Sequence, residues 1–149
     1  MNKVLLERFI SKYTLGDNVQ SVVLKIKNNV LSTEFITPEK SLLGKLALND
    51  FEFDDVELGV YNTSQLSRML NVLGEDVKLT VTKSEDIAIS IKIEDTNASI
   101  NFMLSDKTVI PVVPAMKNVP EFQLTLEIDS NFMARFIASK NALTDKETF

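Results

Sequence analysis

The chain has 149 residues, 44% of them hydrophobic and 25% charged, enough for one well-filled core with a second begun, which excludes disorder as its default state. No charged leader precedes an apolar run, and no stretch approaches the ~20 apolar residues that cross a bilayer, so a soluble, cytoplasmic protein without a membrane partner is expected. With no histidine or cysteine the usual general base, thiolate metal sites and disulfides are excluded, and the net charge of −5 with a pI near 4.8 argues at first against nucleic acid, which draws on clustered lysine and arginine.

Residues 2–13 place Leu5, Leu6, Phe9, Ile10 and Tyr13 at helical spacing and stop before Gly16 and Asp17, which predicts a first helix. β-rich runs follow at 22–27 and 30–37, turned by Asn28 and Asn29, whose tolerance of the left-handed region suits a hairpin. Residues 42–48 predict a third strand and 53–61 a fourth, with Gly59 as the place of a bulge. A second helix is expected over 63–73, with Thr63 as N-cap, Leu66, Met69, Leu70 and Leu73 as one apolar stripe, and Gly74 as its stop. A meander of three strands is expected at 77–83, 87–93 and 98–104. Three of the four prolines fall in 108–120, which reads as an extended connector rather than a strand in mid-sheet. Beyond it, 122–128 alternates as a strand, Asp129 or Ser130 caps, and Phe132, Met133, Phe136 and Ile137 mark a third helix. The fold class is therefore α+β, with short helices packed on antiparallel sheets. A first domain is expected over 1–107, a connector over 108–120 and the beginning of a second domain over 121–149.

Chemistry that needs only carboxylates remains open. Asp54, Asp55 and Glu57 form the densest acidic cluster, with Asp55 and Glu57 on one strand face and Asp54 on the other. The two readings are a Mg²⁺ site and a solvated, edge-protecting strand, and the second is the commoner origin of such runs. Four glycines include no phosphate-binding loop. No catalytic residue, cofactor or metal is expected.

The arginines carry more information. The chain has three, Arg8, Arg68 and Arg135, at matching places on the three predicted helices. Superposing those helices puts Leu5, Leu66 and Phe132 in one column and Phe9, Leu70 and Phe136 in another, 61 and 66 residues apart, so a repeated strand, helix and sheet unit is expected. Segments 2–13, 63–73 and 130–140 hold Lys3, Arg8, Lys12, Arg68, Arg135 and Lys140 against Glu7 alone, a net +5, which leaves −10 for the rest of a chain of net −5. Arg68 projects opposite its stripe among Ser64, Ser67 and Asn71, and Arg8 and Arg135 likewise point away from theirs. Lys140 falls nearer the apolar side, where capping a helix C-terminus is an alternative role. A solvated helix face is the ordinary reading of one such pattern; three in register point to a basic surface set against an acidic remainder.

With the helix at the N-terminus, the run Phe53-Asp54-Asp55-Val56-Glu57-Leu58-Gly59-Val60-Tyr61-Asn62 leading into the second helix, the meander to Leu104, the proline-bearing connector and Leu124-Thr125-Leu126-Glu127-Ile128 before the third helix, the chain resembles a DNA polymerase sliding clamp, the processivity factor, and most closely the type made by T-even-like phages. The resemblance covers nearly the whole chain and rests on order and pattern, since clamps have no invariant catalytic motif. It implies a non-enzymatic ring, with helices lining the hole and sheets outside, that encircles duplex DNA without reading sequence. Arg8, Lys12, Arg68, Arg135, Lys3 and Lys140 would face the DNA. It further implies a homotrimer of two-domain subunits, opened by an ATP-driven clamp loader and gripped by the polymerase through a short peptide in a hydrophobic pocket near the connector, at Val109, Ile110 and Val112. The setting implied is the cytoplasm of a bacterium, including one infected by phage. Only the first strand and helix of the second domain are present, so the chain is expected to be a truncated clamp subunit. Two other readings stay in view: a non-enzymatic structural or assembly protein such as a virion component, and a carboxylate-metal enzyme using Asp54, Asp55 and Glu57.

Overall fold

The computed structural model describes residues 3–115 and 121–143. The chain divides into two compact units, Met1–Pro114 and Ala115–Phe149. The first is built from α1 (Lys3–Thr14), β1 (Val22–Lys27), β2 (Val30–Ile36), β3 (Leu43–Leu48), β4 (Val56–Val60), α2 (Thr63–Leu70), β5 (Lys78–Ser84), β6 (Ile87–Glu94) and β7 (Ser99–Met103), followed by a single 3-10 turn at Lys107–Val109. All pairings are antiparallel, in a four-stranded sheet of order β3-β2-β1-β4 and a three-stranded sheet of order β5-β6-β7. The second unit contains α3 (Ser130–Ala142).

The local reasons match the sequence. Asn28 and Asn29 both take positive φ, 51° and 60°, the requirement of the two-residue turn whose twist suits a hairpin. Alternation along β1 buries Val22, Leu24 and Ile26 and exposes Lys25 and Lys27, and the core gathers these with Leu31 and Phe35 of β2, Leu58 and Val60 of β4, Ile91 and Ile93 of β6 and Phe102 of β7. Leu6, Phe9, Ile10 and Tyr13 of α1 and Leu66 and Leu70 of α2 close that core.

Several expectations are corrected. The N-cap of α2 is Asn62, whose side chain accepts from the Gln65 amide, because Thr63 is fully buried and its hydroxyl is engaged elsewhere. α2 ends at Leu70; Leu73 lies beyond it and is still buried. Gly59 marks no bulge, since the β1–β4 register runs unbroken from Val22↔Val60 to Ile26↔Val56. It is glycine because a Cβ would stand 2.1 Å from the Ser105 carbonyl oxygen, where the Ser105 amide donates to Gly59 O at 2.9 Å and ties the end of β7 to β4. The irregularity lies instead between Thr82 and Lys83. Residues 122–128 form no strand and bend at Gln123, pairing with no strand among the described residues, and Phe122, Leu124, Leu126 and Ile128 are 74%, 71%, 65% and 56% exposed. Alternation prepares a strand, but only a neighbouring edge makes one.

The helical repeat is real in the first unit but shifted by one residue. Leu5 is 43% exposed, whereas Leu6 and Leu66 are buried. The columns are therefore Leu6 with Leu66, Phe9 with Met69 and Ile10 with Leu70, 60 residues apart, and the same spacing relates Arg8 to Arg68. Carried to α3, the arginine register aligns Met133, Phe136 and Ile137 with these positions.

One buried polar contact sets α1 against α2. Tyr13 is completely buried and its hydroxyl lies 3.1 Å from Thr63 Oγ1, while Thr63 Oγ1 donates to Gln20 O at 2.8 Å. Burial pushes the Tyr13 phenol well above its ordinary value, against a smaller opposing effect of the Thr63 bond. Its contribution to stability is complete below the ordinary tyrosine pKa of ~10 and is lost as pH rises above it, where the unfolded chain ionises first. Tyr13→Phe is expected to cost about 1 kcal/mol at neutral pH, with the difference closing in denaturation curves taken above pH ~10. At the other end Asp95 accepts from the amides of Gly74 (2.5 Å), Asn97 and Ala98 (2.6 Å each). Those bonds, Gly74 first, hold its carboxyl below the usual range. Its stabilising effect is present above the ordinary carboxylate pKa and fades as pH falls through the folded value. Asp95→Asn should lower Tm at pH 7 and leave it unchanged in acid.

Candidate nucleic-acid interface

α1 and α2 lie side by side and antiparallel. Lys3, at the start of α1, reaches the C-terminal end of α2 through Leu70 O and Leu73 O, and Tyr13, near the end of α1, meets Thr63 at the start of α2. Both helices bury one face in the same core, so their outer faces form one surface. Arg8 and Arg68 are exposed, and on each helix the arginine stands nearly opposite the buried residues. Lys12 is exposed beside them. Among the described residues no ion pair involves Arg8, Lys12 or Arg68. Short side chains lie among the cations, Ser64 and Ser67 on α2, Asn71 at its C-cap and Ser11 on α1, with Val4 and Leu5 of α1 also exposed there. Anions border it too: Glu7, beside Lys3, and Asp17, which accepts from Ser64 Oγ at 2.8 Å.

Lys3 does not belong to that surface. Its side chain is 11% exposed, its ammonium donates to Leu73 O at 2.7 Å and Leu70 O at 3.3 Å, and Glu7 lies 3.3 Å away. A cation there satisfies orphan carbonyls and meets the negative end of α2. Lys3→Met is expected to lower stability by about 1 kcal/mol, whereas Lys12→Met leaves Tm unchanged; equal shifts in thermal melts would remove the distinction. The helical period placed Lys3 correctly on α1, but only the packing of α2 across its end reveals the cap.

In the second unit, Asp129 caps α3 by accepting from the Phe132 amide, and Arg135 and Lys140 are exposed. Phe132, Met133, Phe136 and Ile137 are 41–51% exposed, and the rings of Phe132 and Phe136 stack with centroids 6.4 Å apart.

Beyond the helices the charge pattern differs from a uniformly acidic exterior. The outer face of the four-stranded sheet carries Lys25, Lys27 and Lys45 with Glu34 and Glu57, and that of the three-stranded sheet carries Lys78 and Lys92 with Glu94. The anions concentrate in connecting segments, at residues 50–55, 75–76 and 85–86. Strand faces alternate with the core and accept long amphipathic lysines, whereas aspartate belongs in turns.

Two of the three carboxylates of the acidic run are engaged structurally. Asp55 Oδ1 accepts from the Asn28 amide at 2.9 Å, and Glu57 meets Lys107 Nζ at 2.5 Å, a bond that holds its carboxyl below the usual range. Among the described residues no group of three or more acidic side chains is arranged to hold a metal ion, and no helix is long and apolar enough to cross a membrane. Along the connector, Val109 and Val112 are 57% and 89% exposed while Ile110 is buried. Ile110, Pro111, Val112 and Val113 form one wall of a cleft of about 240 Å³ whose other side carries Val23, Lys25 and Glu34.

Solved structures with this arrangement decide the fold. The protein superposes on the DNA polymerase III subunit beta of Pseudomonas aeruginosa with a TM-score of 0.57 at 15% identity, over 82% of this chain and 33% of that one. A DnaN sliding clamp from the same organism, bound to griselimycin, gives 0.55 at 17%, over 71% and 29%. The chain has the sliding-clamp fold. The PCNA2–PCNA3 complex of Sulfolobus tokodaii also matches, with a TM-score of 0.51 at 12% identity, over 80% of this chain and 48% of that chain. This clamp-fold chain thus spans between about a third and a half of the length of the solved clamps it resembles. No protein-family model matches it, and no curated protein matches it. At these identities fold persists through burial pattern and register while exposed residues diverge.

Proposed function

We propose that this protein is a sliding-clamp subunit that encircles duplex DNA and tethers a replicative polymerase, of the type made by T-even-like phages. The observation that carries the proposal is the paired outer face of α1 and α2, where Arg8, Lys12 and Arg68 stand without an ion pair among the described residues, between short side chains on a clamp fold. Phosphates meet such a surface through loose or water-mediated contacts, so it supports sliding without sequence readout. Arg135 is the corresponding cation on α3 of the second unit, with Lys140 at the end of the same helix. On this reading residues 1–107 form the first clamp domain, 108–120 the connector and 121–149 the beginning of a second, and the full ring is a homotrimer opened by a clamp loader. The polymerase peptide takes the connector cleft, with Val112 as its exposed contact, Ile110 as its buried wall and the exposed Val109 just ahead of it in the chain. The protein itself performs no catalysis; it acts in the cytoplasm by topology.

The test is retention on DNA. Assembled on a nicked circular duplex, the protein should stay bound until the circle is cut and then escape from the ends. Escape at the same rate from intact circles would sink the encirclement reading.

A further inference from the structure

The halves of the first unit are related by an approximate two-fold, and one strand breaks it. The Thr63 amide, at the start of α2, donates to Gln20 O just ahead of β1 at 3.0 Å, and the Lys3 amide, at the start of α1, donates to Glu75 O just ahead of β5 at 2.8 Å. β4 lies along β1 before leading into α2, giving that sheet four strands. Among the described residues nothing lies along the corresponding edge of β5, and that sheet has three. The core registers the difference. Val22, Leu24 and Ile26 of β1 are 1%, 2% and 4% exposed, whereas Leu79 and Val81 of β5 are only half-buried.

We propose that the outer edge of β5 is the docking site for residues 121–128 of a second copy of this chain, added antiparallel as the fourth strand of that sheet. Two properties select this occupant. Residues 122–128 are non-helical, with a bend at Gln123, and unpaired by any strand among the described residues, with four alternating apolar side chains more than half exposed, and a free edge with half-covered apolar neighbours is what such a segment needs. The charges are also complementary: β5 presents Lys78, and the segment carries Glu127. One register joins that pair and keeps the apolar side chains on the core face. Glu127 opposite Lys78 places Thr125 opposite Thr80 and Gln123 opposite Thr82 on the outer face, and sets Leu126 beside Leu79 and Leu124 beside Val81 on the core face. Opposite-charge and Thr–Thr neighbours are favourable cross-strand pairs. β5 paired with itself would bring lysines together instead. The place of a following helix is filled by α1, so only the strand of the second copy is accommodated, and a reciprocal exchange closes as a dimer. This association is separate from DNA encirclement and stands or falls without it.

The full 149-residue chain has no cysteine, so engineered disulfides report the contact directly. A tagged Thr80→Cys chain mixed with an untagged Thr125→Cys chain should form the mixed disulfide under mild oxidation, because paired antiparallel positions lie within disulfide reach. Thr80→Cys mixed with Leu124→Cys, whose side chain faces the other way, should link about tenfold more slowly. In sedimentation velocity the unsubstituted chain should dimerise with concentration. Glu127→Lys should weaken that about fivefold, the scale of one cross-strand pair, and adding Lys78→Glu should restore it. A monomer at every concentration, equal linking by the Leu124→Cys control, or no rescue by the charge swap overturns the proposal.

Discussion

Replacing Leu66 with alanine is expected to lower the stability of the first unit by about 4 kcal/mol. Leu66 is 1% exposed and lies where α2, α1 and both sheets converge. A void of about 20 Å³ already exists there, walled by Leu6, Leu24, Leu58, Ile91 and other apolar side chains together with Leu66 itself. Truncation enlarges it, and α2 cannot settle inward to fill it. The helix is held at one end by Thr63, bonded to Tyr13 and Gln20, and at the other by Lys3 on its last carbonyls. Poor relaxation puts the cost toward the upper part of the range for such substitutions. Val72→Ala, at a site 70% exposed, should change stability by less than about 0.5 kcal/mol. Urea midpoints of the two variants give the comparison, and similar losses would show that the α2 stripe does not close the core.

Reversing both arginines of the helical surface, Arg8→Glu with Arg68→Glu, is expected to leave Tm within a degree or two while abolishing most retention on DNA. Neither side chain takes part in an ion pair among the described residues, and both are exposed, so little folding energy depends on them. The electrostatic attraction to phosphate changes sign at two points, which should reduce retention and polymerase stimulation on the order of tenfold or more. The salt dependence of DNA association should flatten in parallel, because fewer counterions are released. The matched control reverses Lys27 and Lys40, exposed away from the helices and likewise in no ion pair among the described residues. Equal loss in the control would show that general charge, not the helical face, sets retention.

Most of the fold was legible because its signals are local. Alternation marked β1, β2, β5, β6 and β7, the two asparagines marked their hairpin, and the 3.6-residue stripe marked each helix. The errors arose where a local pattern has more than one tertiary solution. A stripe with Leu5 and Leu6 adjacent does not say which is buried, and only the sheet beneath α1 chose Leu6. Glycine in a strand reads as a bulge, yet Gly59 is needed for the close crossing of Ser105. The alternation of residues 122–128 is as clean as that of β1, but pairing requires an edge supplied from elsewhere.

The same division runs through the basic surface. By itself the sequence determined that three arginines share a place on three helices and that each points away from its apolar stripe, because helical period fixes direction relative to the buried face. It could not determine which cations reach solvent. The tertiary structure decided that by laying α2 across the start of α1, which turned Lys3 into a cap, and by setting α1 and α2 antiparallel on one core, which brought Arg8 and Arg68 to a common surface. It also decided where the negative charge lies, mostly in connecting segments, with Glu34, Glu57 and Glu94 left on the sheet faces among lysines. Side-chain direction is a property of the local backbone, whereas neighbours are chosen by packing between segments about 60 residues apart, and no local pattern encodes that choice.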